Sequence, residues 1–117
     1  MILALVDDLM FTSKIKTTAT RLGVPLVFAR SPESALAEMR KSRPSLVILD
    51  LNSVRTQPLA TVAAMKSDPA LAEIPAIGFV SHVQTDLIDA ARQAGVAEVL
   101  PRSAFTMHLP EILERGR

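Results

Sequence analysis

The chain has 117 residues, with 13 basic against 12 acidic side chains for a net charge of +1, and 49% of it is hydrophobic although only 3% is aromatic. That length suits one domain that buries roughly two-thirds of its unfolded surface around an aliphatic core, and the apolar fraction excludes disorder. Dispersed, nearly balanced charge excludes a nucleic-acid footprint, while the lack of cysteine excludes disulfides and thiolate metal sites and fits a reducing, cytoplasmic setting.

The amino terminus, Met1 to Val6, is apolar but meets Asp7 and Asp8 at once, too soon for a signal sequence or a membrane span; Ile2 to Val6 reads as a buried strand. Phe11, Ile15, Ala19 and Leu22 then recur at helical spacing, and Gly23 stands where a left-handed residue would end the helix. A second apolar run covers Pro25 to Ala29. Ser31-Pro32 supplies an N-cap hydroxyl and a first-turn proline for a helix carrying Ala35, Leu36 and Met39, which Pro44 forbids from continuing. Leu46 to Leu49 is apolar throughout, as a central strand with both faces covered must be. Leu59, Val62, Ala63 and Met65 predict a third helix closed by Asp68-Pro69. Ala76 to Val80 predicts a fourth strand, Leu87, Ile88, Ala91 and Ala94 a fourth helix closed by Gly95, and Ala97 to Leu100 a fifth strand. Pro110 suits an early helical position, so the last helix should be short, near Leu109 to Glu114. Without repeat, low-complexity tract or linker, a single domain over residues 1–117 is expected.

Strands alternating with helices predict an α/β fold with a five-stranded, doubly wound parallel sheet in the flavodoxin-like order 2-1-3-4-5. Ligands in such folds sit beyond the carboxyl ends of the strands where the winding reverses, here between the first and third. The residues just beyond the strands are Asp7 and Asp8, Asp50, Ser81 and Arg102. Three carboxylates at one edge repel unless a cation joins them, and an all-oxygen set suits magnesium, which keeps much of its water shell and bridges to phosphoryl oxygens. Asp8 also suits the N-cap of the first helix, but capping accounts for one acid and not for three.

Leu5-Val6-Asp7-Asp8, Pro44 to Asn52, Asp68 to Pro75 and Gly95 to Leu100 together resemble the receiver domains of two-component response regulators, over essentially the whole chain. The resemblance implies that Asp50 accepts a phosphoryl group from the phosphohistidine of a histidine kinase or phosphotransfer protein. Asp8 would bind magnesium directly, Asp7 largely through water, and Asn52 through its backbone carbonyl. Ser81 would hydrogen-bond the arriving phosphoryl group. The phosphorylated domain would act on a downstream protein through its fourth helix, fifth strand and last helix, as a monomer or weak dimer, without nucleic acid or membrane, and as a signalling domain rather than an enzyme.

Four positions depart from the family's pattern. Arg102-Ser103 stands where the family has lysine and proline, and the planar fork of arginine is expected to clamp a carboxylate, Asp50 or Asp7. Val99 replaces the aromatic switch residue, so aromatic rotation cannot report a signal. His82 follows Ser81 where a small residue is usual and would narrow the entrance. The loop Asn52 to Pro58 lacks the family's Met-Pro and later glycine and should take another path. These departures keep a second reading open, a pseudo-receiver that signals by protein contact without phosphorylation. A hydrolase on the same metal site is a third, and no second base supports it.

Overall fold

The computed structural model describes residues 1–81 and 84–117, so the expectation for His82 lies outside the described residues. Among the described residues, strands β1 (Ile2–Leu5), β2 (Leu26–Ala29), β3 (Leu46–Asp50), β4 (Ala76–Val80) and β5 (Glu98–Pro101) form one parallel sheet in the order β2-β1-β3-β4-β5. The expected fold class and strand order are thus found. β1 pairs on both sides, Leu3 with Val27 of β2 and with Val47 of β3, which puts the reversal of winding between β1 and β3.

Successive strand residues serve opposite faces, so the unbroken apolar runs of β1 and β3 feed two cores. Leu3, Leu5, Val47 and Leu49 join Met39, Val62 and Met65 on one side, under helices α2 (Pro32–Ser42) and α3 (Pro58–Ser67), with Ala91 of α4 (Thr85–Ala94) in the same core. Ile2, Ala4, Leu46 and Ile48 join Phe11 and Ile15 of helix α1 (Leu9–Leu22) on the other. Helix ends obey the sequence. Gly23 and Gly95 take the left-handed conformation after α1 and α4 (φ 70° and 114°). At the start of α2, Ser31 Oγ accepts the Ser34 N–H (3.1 Å) and Ser34 Oγ accepts the Ser31 N–H (3.3 Å), a reciprocal cap ahead of Pro32.

Five strand ends differ by one residue: Val6 lies beyond β1, Pro25 lies before β2, Asp50 belongs to β3, and β5 starts at Glu98 and reaches Pro101. The larger correction is at the carboxyl terminus. Where one short helix was expected, α5 (Arg102–Met107) precedes α6 (Leu109–Arg115), and His108 (φ −101°, ψ 12°) separates them. Pro110 has no N–H to offer the preceding turn, so it restarts a helix rather than extending one. Phe105 anchors α5, and Leu109, Ile112 and Leu113 anchor α6, all in the core that holds α1. No helix among the described residues is long and apolar enough to cross a membrane.

Candidate functional site

All the residues expected at the site fall at the carboxyl edge of the sheet. Asp7 and Asp8 link β1 to α1, Asp50 ends β3, Asn52 opens the β3–α3 loop, Ser81 follows β4 and Arg102 opens α5. Asp50 is the buried member, 7% exposed, and its Oδ1 accepts the Asn52 N–H at 3.0 Å. Burial pushes its carboxyl above the usual aspartate value. The Asn52 N–H and the charge of Arg102 act against this shift, and the charges of Asp7 and Asp8 add to it, so the three acids share one electrostatic field.

Asp8 is the N-cap of α1. Its Oδ1 accepts the Phe11 N–H at 3.1 Å and its Oδ2 accepts Arg102 Nη2 at 3.1 Å. The Phe11 N–H first, and the Arg102 guanidinium next, hold this carboxyl below its usual value. The expected arginine clamp therefore exists but falls on Asp8, not on Asp50 or Asp7. The reason is positional: the guanidinium lies 4.2 Å from the centroid of the Phe11 ring, on the first turn of α1, which brings the fork to the acid that caps that turn. Phe11 in turn packs on Phe79 (centroids 4.8 Å apart), which stacks on Phe105 (4.6 Å).

Asp7 has a partner that the sequence did not suggest. Ser53 Oγ donates to Asp7 Oδ1 at 3.1 Å and accepts the Thr56 N–H at 3.2 Å, which pins the β3–α3 loop to the acid pair. Asn52 is used through its side chain as well: Oδ1 accepts the Ser81 N–H at 2.7 Å and Nδ2 donates to Gln84 Oε1 at 2.6 Å, tying the β3–α3 loop to the residues on either side of 82 and 83. Ser81 itself is exposed. Ser53 and Gln84 lie in loops whose pairing depends on tertiary geometry, which no spacing in the sequence encodes.

The donor set, three carboxylates and the Asn52 carbonyl, has the all-oxygen chemistry of a hard divalent cation. Its arrangement is closed by protein partners: among the described residues no three His, Cys, Asp or Glu side chains converge as a group able to hold a metal ion, and both oxygens of Asp8 are engaged.

No family model matches the sequence, and no curated protein matches it. Solved structures do. The phosphorylated cyanobacterial phytochrome response regulator RcpA is 27% identical, with 97% of this chain and 87% of that chain covered at a TM-score of 0.80. The Mn(2+)-bound form of response regulator Rcp1 is 20% identical, with 95% and 89% covered at 0.81. The receiver domain of NtrX from Brucella abortus is 21% identical, with 99% and 97% covered at 0.83. With a shared strand order, nearly complete coverage and the motifs at the sheet edge, this chain has the fold of the response-regulator receiver domains.

Proposed function

We propose that the chain is a cytoplasmic receiver that takes a phosphoryl group onto Asp50 from the phosphohistidine of a histidine kinase or phosphotransfer protein, with magnesium as cofactor. The observation that carries this reading is the setting of Asp50. One oxygen is held by the Asn52 N–H, and among the described residues the other takes no hydrogen bond, so it is free to attack. The O–P bond forms at that oxygen as the P–N bond of the donor breaks, and the imidazole leaves with the electron pair. Once Asp8 Oδ2 is released from Arg102, Asp7, Asp8, Asp50 and the Asn52 carbonyl would be the oxygens to hold the cation, which when bound would supply charge neutralisation to the transferring oxygens. Ser81, which follows β4 at the same edge, would donate its hydroxyl to the product, and Leu9, Met10 and Val54, exposed by 70%, 85% and 89%, would give a donor protein an apolar rim there.

Phosphorylation adds about one unit of negative charge beside Arg102 and the Asn52 side chain. A shift of Ser81 toward the new oxygens would pull on Asn52 and through it on Gln84, the N-cap of α4, so a downstream protein would read α4, β5 and the α5–α6 segment. The domain then signals rather than catalyses. Incubation with phosphoramidate and magnesium should add one phosphoryl mass to the intact protein and none to Asp50→Ala. No gain on the unaltered chain, or an equal gain on both, rejects the assignment.

The Arg102–Asp8 pair favours a second reading, the pseudo-receiver that works by contact alone. An unlabelled protein whose signals are also unmoved by magnesium would establish it over the first.

A further inference from the structure

Arg102 has three restraints that an ordinary surface arginine lacks. Its backbone is fixed where β5 passes directly into α5 at Pro101; its guanidinium faces the Phe11 ring at 4.2 Å; and its Nη2 donates to Asp8 Oδ2 at 3.1 Å. The ring beneath it is enclosed on its other side, since Phe11 is 6% exposed and packed into a cluster with the fully buried Phe79 and Phe105. A lone exposed ion pair is worth little, but a guanidinium oriented on an aromatic face arrives with much of its ordering already done. Asp8 Oδ2 is also the atom by which Asp8 would bind a cation, because Oδ1 is spent on the Phe11 N–H that caps α1.

We propose that Arg102 is a built-in counter-ion of the acid edge, so that a divalent cation and Arg102 compete for Asp8 Oδ2 and the arginine sets how readily the site loads. This rests on the reading of the acid edge as a cation site. The side chains of Arg102 and Asp8 are 32% and 42% exposed, which lets the pair open without unfolding anything around it. The protein is then a receiver whose loading is gated: the apparent metal affinity is the intrinsic one multiplied by the fraction of molecules in which the pair is open.

The test is a Mn2+ titration followed by paramagnetic broadening of the amide signals of residues 7, 8, 50 and 51, together with the Arg102 Nε–H signal. Arg102→Ala and Arg102→Gln should bind Mn2+ at least about tenfold more tightly than the unaltered chain, since either substitution leaves Asp8 open in every molecule. Arg55→Ala, which removes the same charge from an exposed site on the β3–α3 loop, should change affinity by less than about twofold because that charge is screened by salt. The Arg102 Nε–H signal of the unaltered chain should move in step with loading. Equal affinities with and without Arg102, equal tightening in Arg55→Ala, or no Mn2+ binding by any variant each overturn the competition. Phosphoramidate labelling scores the other reading separately. An unaltered chain that takes no phosphoryl group while Arg102→Ala binds metal more tightly refutes phosphoacceptance alone, and a labelled Asp50 in the unaltered chain with metal affinity unchanged by Arg102→Ala refutes the competition alone.

Discussion

Asp50 is the only charged side chain buried among the described residues, and its environment works against its charge. Its folded-state pKa lies above the unfolded one, so through the carboxylate range the folded chain holds more protons than the unfolded chain and stability falls as pH rises. Asp50→Asn keeps an oxygen for the Asn52 N–H and removes the buried charge. It should therefore raise the melting temperature by a few degrees at about pH 7, and the gain should shrink as pH falls and vanish by about pH 3, below the ordinary aspartate value, where the group is largely protonated in both states. A melt at each pH decides it, and an unchanged or lower melting temperature at neutral pH contradicts it. Asp8 has the opposite sign: its lowered pKa contributes stability that is present above the ordinary aspartate value and is lost as pH falls. Ser53 is the other residue whose loss should be felt. Ser53→Ala strips a donor from Asp7 and an acceptor from the buried Thr56 N–H, and urea unfolding should show a cost of about 1–3 kcal/mol, the penalty for leaving buried polar groups unpaired.

Among the elements, α3 has the least conventional start. Gln57, its N-cap, makes no side-chain cap bond and sits in the left-handed region at φ 42°. A side chain in that conformation costs about 1–2 kcal/mol, partly offset in the unfolded chain when glycine replaces it. Gln57→Gly should thus stabilise the protein by about 0.5–1 kcal/mol in a urea titration, and a loss would mean that the Gln57 side chain has a role beyond the cap. The sequence could not disclose this strain, because nothing in Thr56-Gln57-Pro58 marks a left-handed residue. It did disclose the elements that follow strong local rules: Ser31-Pro32 opens α2, Gly23 closes α1, and the unbroken Leu46 to Leu49 is a strand covered on both faces. It failed at α5, where only Phe105 is buried in the helix Arg102–Met107 and no apolar stripe forms. The site followed the same division. Chain order and sheet topology place Asp7, Asp8, Asp50, Ser81 and Arg102 at one edge, but which acid the arginine grips depends on the Phe11 ring, a packing fact that no spacing encodes.

At the scale of the whole molecule, the two cores on opposite faces of the sheet have unequal covers. The α2–α3–α4 side has three helices of ten or eleven residues, whereas the other side is closed by α1 and the short α5 and α6. α6 lies against α1, and the residues after it are stitched to the start of the sheet. The Gly116 carbonyl accepts Ser45 Oγ, and a side-chain carbon on Gly116 would come within 2.6 Å of Ile2 Cγ1. Leu109, Ile112 and Leu113 are each at most 1% exposed. Burying three such side chains is worth roughly 5–9 kcal/mol at about 1.5–3 kcal/mol each. A domain of this size is stable by only about 5–15 kcal/mol in total, so the small terminal helix stands between the fold and its loss. A chain ending at Met107 should accordingly show no cooperative thermal transition by circular dichroism and poor dispersion of its amide signals. Leu113→Ala tests the same claim without truncation: it should cost about 2–5 kcal/mol and still fold. A truncated chain that melts cooperatively within a few degrees of the full one would mean that α1 and α5 cover Ile2, Ala4, Leu46 and Ile48 unaided, and that the carboxyl-terminal helix is attached to the domain rather than part of what holds it together.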